Sequence, residues 1–310
     1  MDVGSIPTAS TILTKGCDMN IFEYSSAIMQ MREFFQQEKG FVEVPSQSRR
    51  SILAACEDPK TISQYIFSGI NWPLPQTGQM WLEKEMLDNP ELPGVFCVST
   101  SYRNEPNPIP GRHDKIFPMF EFESKGNVDK MIELELELLD FLGFNAVKED
   151  AQTKNNLPRK AHSGPYFIKY DEACLALNMG IESLEAEHET LMQEQLGDIV
   201  FLTDFPLRSD PFWNMKQQTG SDHFEKVDVL LYGMETIGSA ERSSNVDEMR
   251  ENFYTISDGE YSNLLFNHFG KKRVVDELEE YFALDMFPRF GGGIGLTRIC
   301  RALRLNKTRV

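Results

Sequence analysis

The sequence predicts an α+β fold: one mixed, mainly antiparallel β-sheet with helices packed against it. Three observations carry that expectation. Apolar, β-branched runs such as Val95 to Tyr102 and Val227 to Tyr232 are separated by long polar loops. Amphipathic helical patterns flank them. Strand and helix patterns also fail to alternate regularly, which disfavours a doubly wound parallel sheet.

The elements follow in order. Met1 to Asp18 is rich in Ser, Thr and Gly with no amphipathic period, and reads as a disordered leader (1–18) ahead of a single domain (19–310). A helix begins at Ile21, with Ile28, Met31, Phe34 and Phe35 at three- and four-residue spacing, and Gly40 ends it. Phe41 to Val44 alternates as a strand stopped by Pro45. Ser46 to Pro75 reads as irregular, and Gln79 to Leu87 as a helix. Val95 to Tyr102 and Ile116 to Ser124 form two strands of a hairpin around the Pro/Gly-rich loop Pro106 to Gly111. An acidic amphipathic helix spans Asp129 to Leu142, a polar loop Lys148 to Pro165, and a second acidic helix Ile181 to Leu196. Strands follow at Ile199 to Phe205 and Val227 to Tyr232. Val274, Val275, Leu278, Tyr281 and Phe282 mark another amphipathic helix, and a glycine-rich strand from Phe290 runs into a helix from Leu296.

Composition narrows the class. The chain has 310 residues, 41% of them hydrophobic, including 22 Phe, enough for a substantial core. No window approaches the ~18–20 uninterrupted apolar residues of a membrane span, so a soluble, cytoplasmic protein is expected. Cys17, Cys56, Cys97, Cys174 and Cys300 are odd in number and widely scattered, giving neither a metal clip nor a disulfide framework. The five histidines are equally dispersed. A formal charge of −17 argues against a broad nucleic-acid-binding surface, although Arg298, Arg301, Arg304, Lys307 and Arg309 make the C-terminal stretch basic.

Two segments carry chemistry. In Gly291-Gly292-Gly293-Ile294-Gly295, followed by Leu296-Thr297-Arg298, the glycines permit close backbone approach and the arginine supplies a fixed positive charge. Alone, such a run is equally compatible with tight strand–helix packing. It lacks the Lys-Ser/Thr of a P-loop. Tyr102-Arg103-Asn104-Glu105, then Gly111-Arg112-His113 and the strand from Phe117, place an arginine where it can grip a phosphate by two prongs. A surface hairpin with ordinary charges is the competing reading.

Together, and in this order, the two segments resemble motifs 2 and 3 of the class II aminoacyl-tRNA synthetases. The resemblance implies that Arg103 grips the α-phosphate of ATP, Glu105 supports the adenine or amino-acid side, and Arg112 and His113 reach the outer phosphates. Phe117 would stack on adenine, Gly293 and Gly295 would line the nucleotide, and Arg298 would meet the γ-phosphate. Gln76-Thr77-Gly78-Gln79 resembles the amino-acid-binding loop of the aspartyl/asparaginyl/lysyl subgroup, which assigns Gln76 and Gln79 to the substrate. Asp228, Glu235 and Arg242 fall at that subgroup's spacing. Glu235, with Asp228, is then implied to hold Mg²⁺, and Arg242 to read the substrate side chain. A guanidinium pairs with a carboxylate or carboxamide oxygen and repels an ammonium, favouring Asp or Asn over Lys.

Further positions bear on the choice. Leu82 stands where aspartyl enzymes place Lys, and Gly238 where they have Ser, which is asparaginyl-like. Glu241 beside Arg242 is similar to the archaeal asparagine synthetase-related proteins. Ile116 replaces a usual Glu, and motif 1 at Phe41 to Pro45 is approximate. The stretch Met1 to Asn20 is too short for the anticodon-binding barrel of the asparaginyl and aspartyl enzymes. The expectation is ATP-dependent activation of aspartate or asparagine as an aminoacyl-adenylate by a stand-alone asparagine synthetase-like ligase using ammonia. A reduced asparaginyl-tRNA synthetase charging tRNA, and a non-catalytic paralogue that binds amino acid or protein, are the alternatives. A homodimer is expected from the resemblance.

Overall fold

The computed structural model describes residues 19–45, 50–55, 59–144, 164–177 and 183–308. The leader, most of the polar loop at Lys148 to Pro165 and the start of the helix expected from Ile181 lie outside these. Eight strands form one sheet in the order β1-β4-β5-β10-β9-β8-β7-β6. They are β1 (Val42–Glu43), β4 (Gly94–Tyr102), β5 (Ile116–Lys125), β6 (Tyr166–Lys169), β7 (Ile199–Pro206), β8 (His223–Leu231), β9 (Glu235–Arg242) and β10 (Arg289–Gly295). Pairing is parallel at the two edges, β1 with β4 and β6 with β7, and antiparallel between. The mixed, mainly antiparallel α+β sheet is thus the observed architecture.

Period-2 alternation sorts the two faces. In β5, Phe120 and Phe122 point to the back, where Phe96 stacks on Phe120 at 5.0 Å between centroids, while the buried Glu121 and Glu123 point to the front. The back is covered by α1 (Ile21–Arg32), α3 (Val128–Phe141) and α9 (Leu296–Lys307). Asn20 caps α1 by accepting the Phe22 N–H at 2.8 Å, and the helix widens into a π-helical turn over Glu33–Glu38 before Gly40. On the front, α2 (Gln79–Asp88) packs Leu82 and Met86 against Val95 and Cys97. A second core around Trp213 joins α6 (Val246–Thr255), α7 (Glu260–Phe269) and α8 (Lys271–Phe282).

Several expectations need correction. The segment read as irregular before Pro75 contains a hairpin, β2 (Gln64–Phe67) with β3 (Ile70–Pro73), turned by Ser68 and Gly69 at φ 51° and 76°. The strand at Phe41 to Val44 shrinks to two paired residues. Sequence patterns do not place strands β6 and β9, the short α4 (Tyr170–Ala176), α6 or α7. Strand β6 has only four residues, β9 interleaves polar and charged residues with its apolar ones, and α6 and α7 bury short amphipathic faces against neighbours distant in sequence. The acidic helix before Ile199 is α5 (Ala186–Leu196).

Helix α3 buries Glu135 completely, and neither carboxylate oxygen has a hydrogen-bond partner. The adjacent Ser239 hydroxyl donates instead to the Val227 carbonyl at 3.1 Å. Burial pushes the Glu135 carboxyl up to about 8, Ser239 only partly offsetting it and Asp228 adding to it. The folded state therefore keeps a proton that the unfolded chain releases near pH 4.5, so this group's contribution weakens as pH rises from about 5 to 8. Glu135→Met is expected to raise unfolding free energy by roughly 1–3 kcal/mol, with the larger gain at pH 8 than at pH 5. Urea unfolding at the two pH values checks this; a destabilised variant at pH 8 refutes it.

Candidate active site

The front of β4, β5, β10, β9 and β8 forms the floor of a two-lobed cleft. Its geometry begins with Glu121, which accepts the Gly78 N–H at 2.9 and 2.8 Å and the hydroxyls of Thr77 and Ser99. These contacts pin the turn that starts α2 onto the sheet and place Gln79 at the junction of the lobes. Gln76 is a correction. It is wholly buried behind the cleft wall, with its side-chain amide donating to Thr61 at 2.7 Å, and it lines neither lobe.

The outer lobe, about 250 Å³, brings together Arg103, Glu105, Arg112, His113, Phe117, Glu235, Gly293, Gly295 and Arg298. These residues come from the end of β4, the β4–β5 loop, β5, β9, β10 and α9, so only the folded sheet makes them neighbours. The Arg103 guanidinium lies 5.6 Å from the Phe117 ring centroid. Arg298 Nη1 donates to the Glu235 carbonyl at 2.7 Å and to its carboxylate at 3.4 Å. Burial opposes ionisation of Glu235, but Arg298, Lys226 and Arg103 outweigh it and hold the carboxyl below its ordinary value. Burial, reinforced by Arg298 and Arg112, lowers the His113 imidazole, which favours its neutral form.

The inner lobe, also about 250 Å³, shares Gln79, Arg103, Glu235 and Gly238 with the outer one and adds Asp228 and Arg242. Arg242 is 2% exposed and donates to Gln79 Oε1 at 2.8 Å and to both Glu123 oxygens at 3.4 and 3.3 Å. Glu83 lies 3.7 Å from Arg242 and accepts from Asn214 at 2.6 Å, Tyr281 at 2.7 Å and Arg289 at 2.6 and 3.1 Å. Burial opposes ionisation of Glu83, yet Arg289, Arg242 and Tyr281 hold it below the usual range. Glu123, buried with Glu83 nearby, is pushed up to about 8 despite Arg242. A Cβ on Gly291 would lie 1.7 Å from Glu123 Oε2, so this glycine accommodates the charge cluster rather than a ligand.

Lys226 was missed at the sequence level. It pairs with Asp228 at 2.8 Å and sits 3.6 Å from the Phe205 centroid. Two residues apart on one strand, Lys226 and Asp228 share a face, and that spacing was the available signal. The other oxygen of Asp228, Oδ1, is buried without a hydrogen-bond partner. Burial, with Glu235 nearby, pushes Asp228 up to about 7 although Lys226 opposes it. A Cβ on Gly238 would lie 2.9 Å from Glu235 Oε1 and 3.6 Å from Asp228 Oδ1. Two carboxylate oxygens thus face one small space kept open by a glycine, a hard-oxygen donor set that fits Mg²⁺. Gly238→Ala is expected to leave folding intact, since the nearest atom ends a flexible side chain, and to weaken binding of Mg²⁺ to this chain about tenfold. Isothermal titration with Mg²⁺ checks this; an unshifted dissociation constant counts against the assignment.

Residues 12–308 match the family described as tRNA synthetases class II (D, K and N). The chain belongs to that family. An asparagine–tRNA ligase of Pelotomaculum thermopropionicum is 26% identical over 79% of this chain and 57% of its own length. The rat cytoplasmic aspartate–tRNA ligase is 24% identical over 90% and 56%. Among solved structures, asparaginyl-tRNA synthetase from Pyrococcus horikoshii with asparaginyl-adenylate superposes with a TM-score of 0.71 at 20% identity, covering 92% of this chain and 65% of that one. The chain therefore spans little more than half the length of the curated relatives it matches.

Two subgroup positions of this class II chain take structural roles. Leu82 is fully buried against β4 and lines neither lobe. Glu241 points to the back of the sheet, where it accepts the Val128 N–H at the start of α3 at 2.9 Å and pairs with Lys216 at 2.6 Å. It therefore says nothing about substrate or acceptor. Ile116 is an exposed residue at the strand end, outside both lobes. Among the described residues, no helix is long and apolar enough to cross a membrane.

Proposed function

We propose that this chain activates aspartate or asparagine with ATP as an enzyme-bound aminoacyl-adenylate, and that the acyl group passes to tRNA. One observation carries the reading: Arg103 and Arg298 converge on one lobe of a cleft whose other lobe holds Arg242. The outer lobe suits a nucleotide, with Arg103 at the α-phosphate, Arg298 at the far end and Phe117 against adenine. The inner lobe suits a small amino acid, with its side-chain oxygen on Arg242 and its polar backbone groups near Gln79.

No general base is required, because an amino-acid carboxylate is ionised at neutral pH. That carboxylate attacks the α-phosphorus, an acyl–phosphate bond forms as the bond to pyrophosphate breaks, and the negative charge shifts onto pyrophosphate. Arg103 and Arg298 orient the reactants and stabilise that charge. Mg²⁺ held by Glu235 and Asp228 would add further charge neutralisation. Lys226, paired with Asp228, places a further cation at the inner lobe.

A tRNA acceptor is preferred over ammonia because the relatives named above are tRNA ligases and Glu241, the residue favouring the ammonia-using reading, faces away from the cleft. A homodimer is part of the proposal, supported by Ile21, Phe22 and Met29 exposed on α1 at 72%, 79% and 67%. ATP–pyrophosphate exchange measured across the twenty amino acids tests activation, with Asp or Asn expected to stand out. Addition of tRNA or ammonia then tests the acceptor. Exchange with no amino acid at all would overturn the reading in favour of a binding paralogue.

A further inference from the structure

Arg112 reaches the outer lobe but is not free there. Its guanidinium pairs with Glu189 of α5, and Nη1 lies 3.4 Å from the Gly233 carbonyl. The same Glu189 oxygen accepts the Glu235 N–H at 2.6 Å. The pair is mostly buried, with side chains 11% and 20% exposed, unlike an ordinary surface salt bridge. Glu189 itself does not line the cleft and approaches from beneath its floor.

The reach has a local cause. Strands β8 and β9 are joined by Tyr232 and Gly233 at φ 52° and 71°, a tight turn with both central residues left-handed. Helix α5 packs directly on that turn, since a Cβ on Gly233 would lie 3.1 Å from the Thr190 Cα. This approach puts the first turn of α5 under the start of β9. Of the cations in the outer lobe, Arg298 is held by Glu235 on the sheet, whereas Arg112 is held by a carboxylate from a separate helix.

We infer that Glu189 is an internal anion that pairs with Arg112 and competes with the outer phosphates of ATP for its guanidinium. The inference rests on the ATP-binding reading above. Nucleotide entry would replace one carboxylate charge by the more highly charged triphosphate end, freeing Arg112 from α5. Glu189 is thus a positioning residue, not one that touches the reacting atoms.

Isothermal titration of ATP and of AMP into wild type, Glu189→Gln, Arg112→Ala and the double variant tests this. Gln keeps an oxygen for the Glu235 N–H but removes the competing charge, so ATP affinity is expected to rise about tenfold. AMP lacks the outer phosphates, and its affinity should stay within about twofold. In the Arg112→Ala background the Glu189→Gln gain should vanish. Glu189→Ala replaces the Gln variant if that one fails to fold. Unchanged or weaker ATP binding, equal gains for ATP and AMP, or a gain that persists without Arg112 each overturn the inference while leaving the ATP reading intact. Absence of ATP binding by the wild type overturns both.

Discussion

Arg103→Ala is expected to lower kcat/KM for amino-acid-dependent ATP–pyrophosphate exchange by a factor on the order of 10²–10³, with unfolding free energy nearly unchanged. Arg103 lines both lobes, so in the proposed reaction it stands where nucleotide and amino acid meet and where the α-phosphorus would lie for a carboxylate to attack it. A guanidinium there orients the phosphate by two parallel hydrogen bonds and offsets charge that grows on its oxygens. Arg103→Lys should recover only part of the loss, because an ammonium supplies charge without the planar fork. Exchange kinetics on folded variants provide the measurement. Wild-type rates in Arg103→Ala would remove the central element of the proposed chemistry.

The second large effect concerns Arg242, where function and stability are joined. Arg242 and Arg289 are buried with Glu83 and Glu123 in one cluster, so removing Arg242 takes one of two cations from Glu83 and leaves the Glu123 carboxyl buried without its partner. Arg242→Met is expected to cost roughly 1–3 kcal/mol of unfolding free energy, and adding Glu123→Met should restore much of it. Burial already places Glu123 at about 8, so near neutral pH it is largely protonated and the cluster keeps net positive charge facing the inner lobe. Arg242→Lys keeps the charge but loses the fork and the contact to Gln79. It should raise KM for Asp or Asn roughly 10–100-fold with the ATP dissociation constant unchanged. An unchanged amino-acid KM would dissociate Arg242 from substrate reading.

Much of this was legible in the linear chain because it is local. The alternation in Phe120-Glu121-Phe122-Glu123 and the glycine run entering a helix follow from strand and helix periodicity, whereas the spacing of Asp228, Glu235 and Arg242 was legible only through the family resemblance. The sorting of Glu241 away from Arg242 needed strand β9, which sequence patterns do not place; once it is there, adjacent residues face opposite sides. What needed the folded molecule was whatever depends on distant segments meeting. Gln76 and Gln79 belong to one short turn, yet the anchor that Glu121 provides sends one into the wall and the other into the cleft. The hairpin from Gln64 to Pro73 owes its order to tertiary packing, whereas helices α6 and α7 do carry an amphipathic period, with Met249 and Phe253, and Tyr261, Leu265 and Phe269, on their buried faces.

Residue patterns alone thus pointed to the sheet class, because backbone geometry imposes strand and helix periods on any chain, whereas the roles proposed for Arg103, Arg298 and Arg242 came from the resemblance of their motifs to a family. The raised proton affinities of Glu123 and Asp228, the partnerless carboxylate of Glu135 and the hold of Glu189 on Arg112 arise from burial and through-space charge. Desolvation and Coulomb energy depend on three-dimensional distance, which no local pattern encodes.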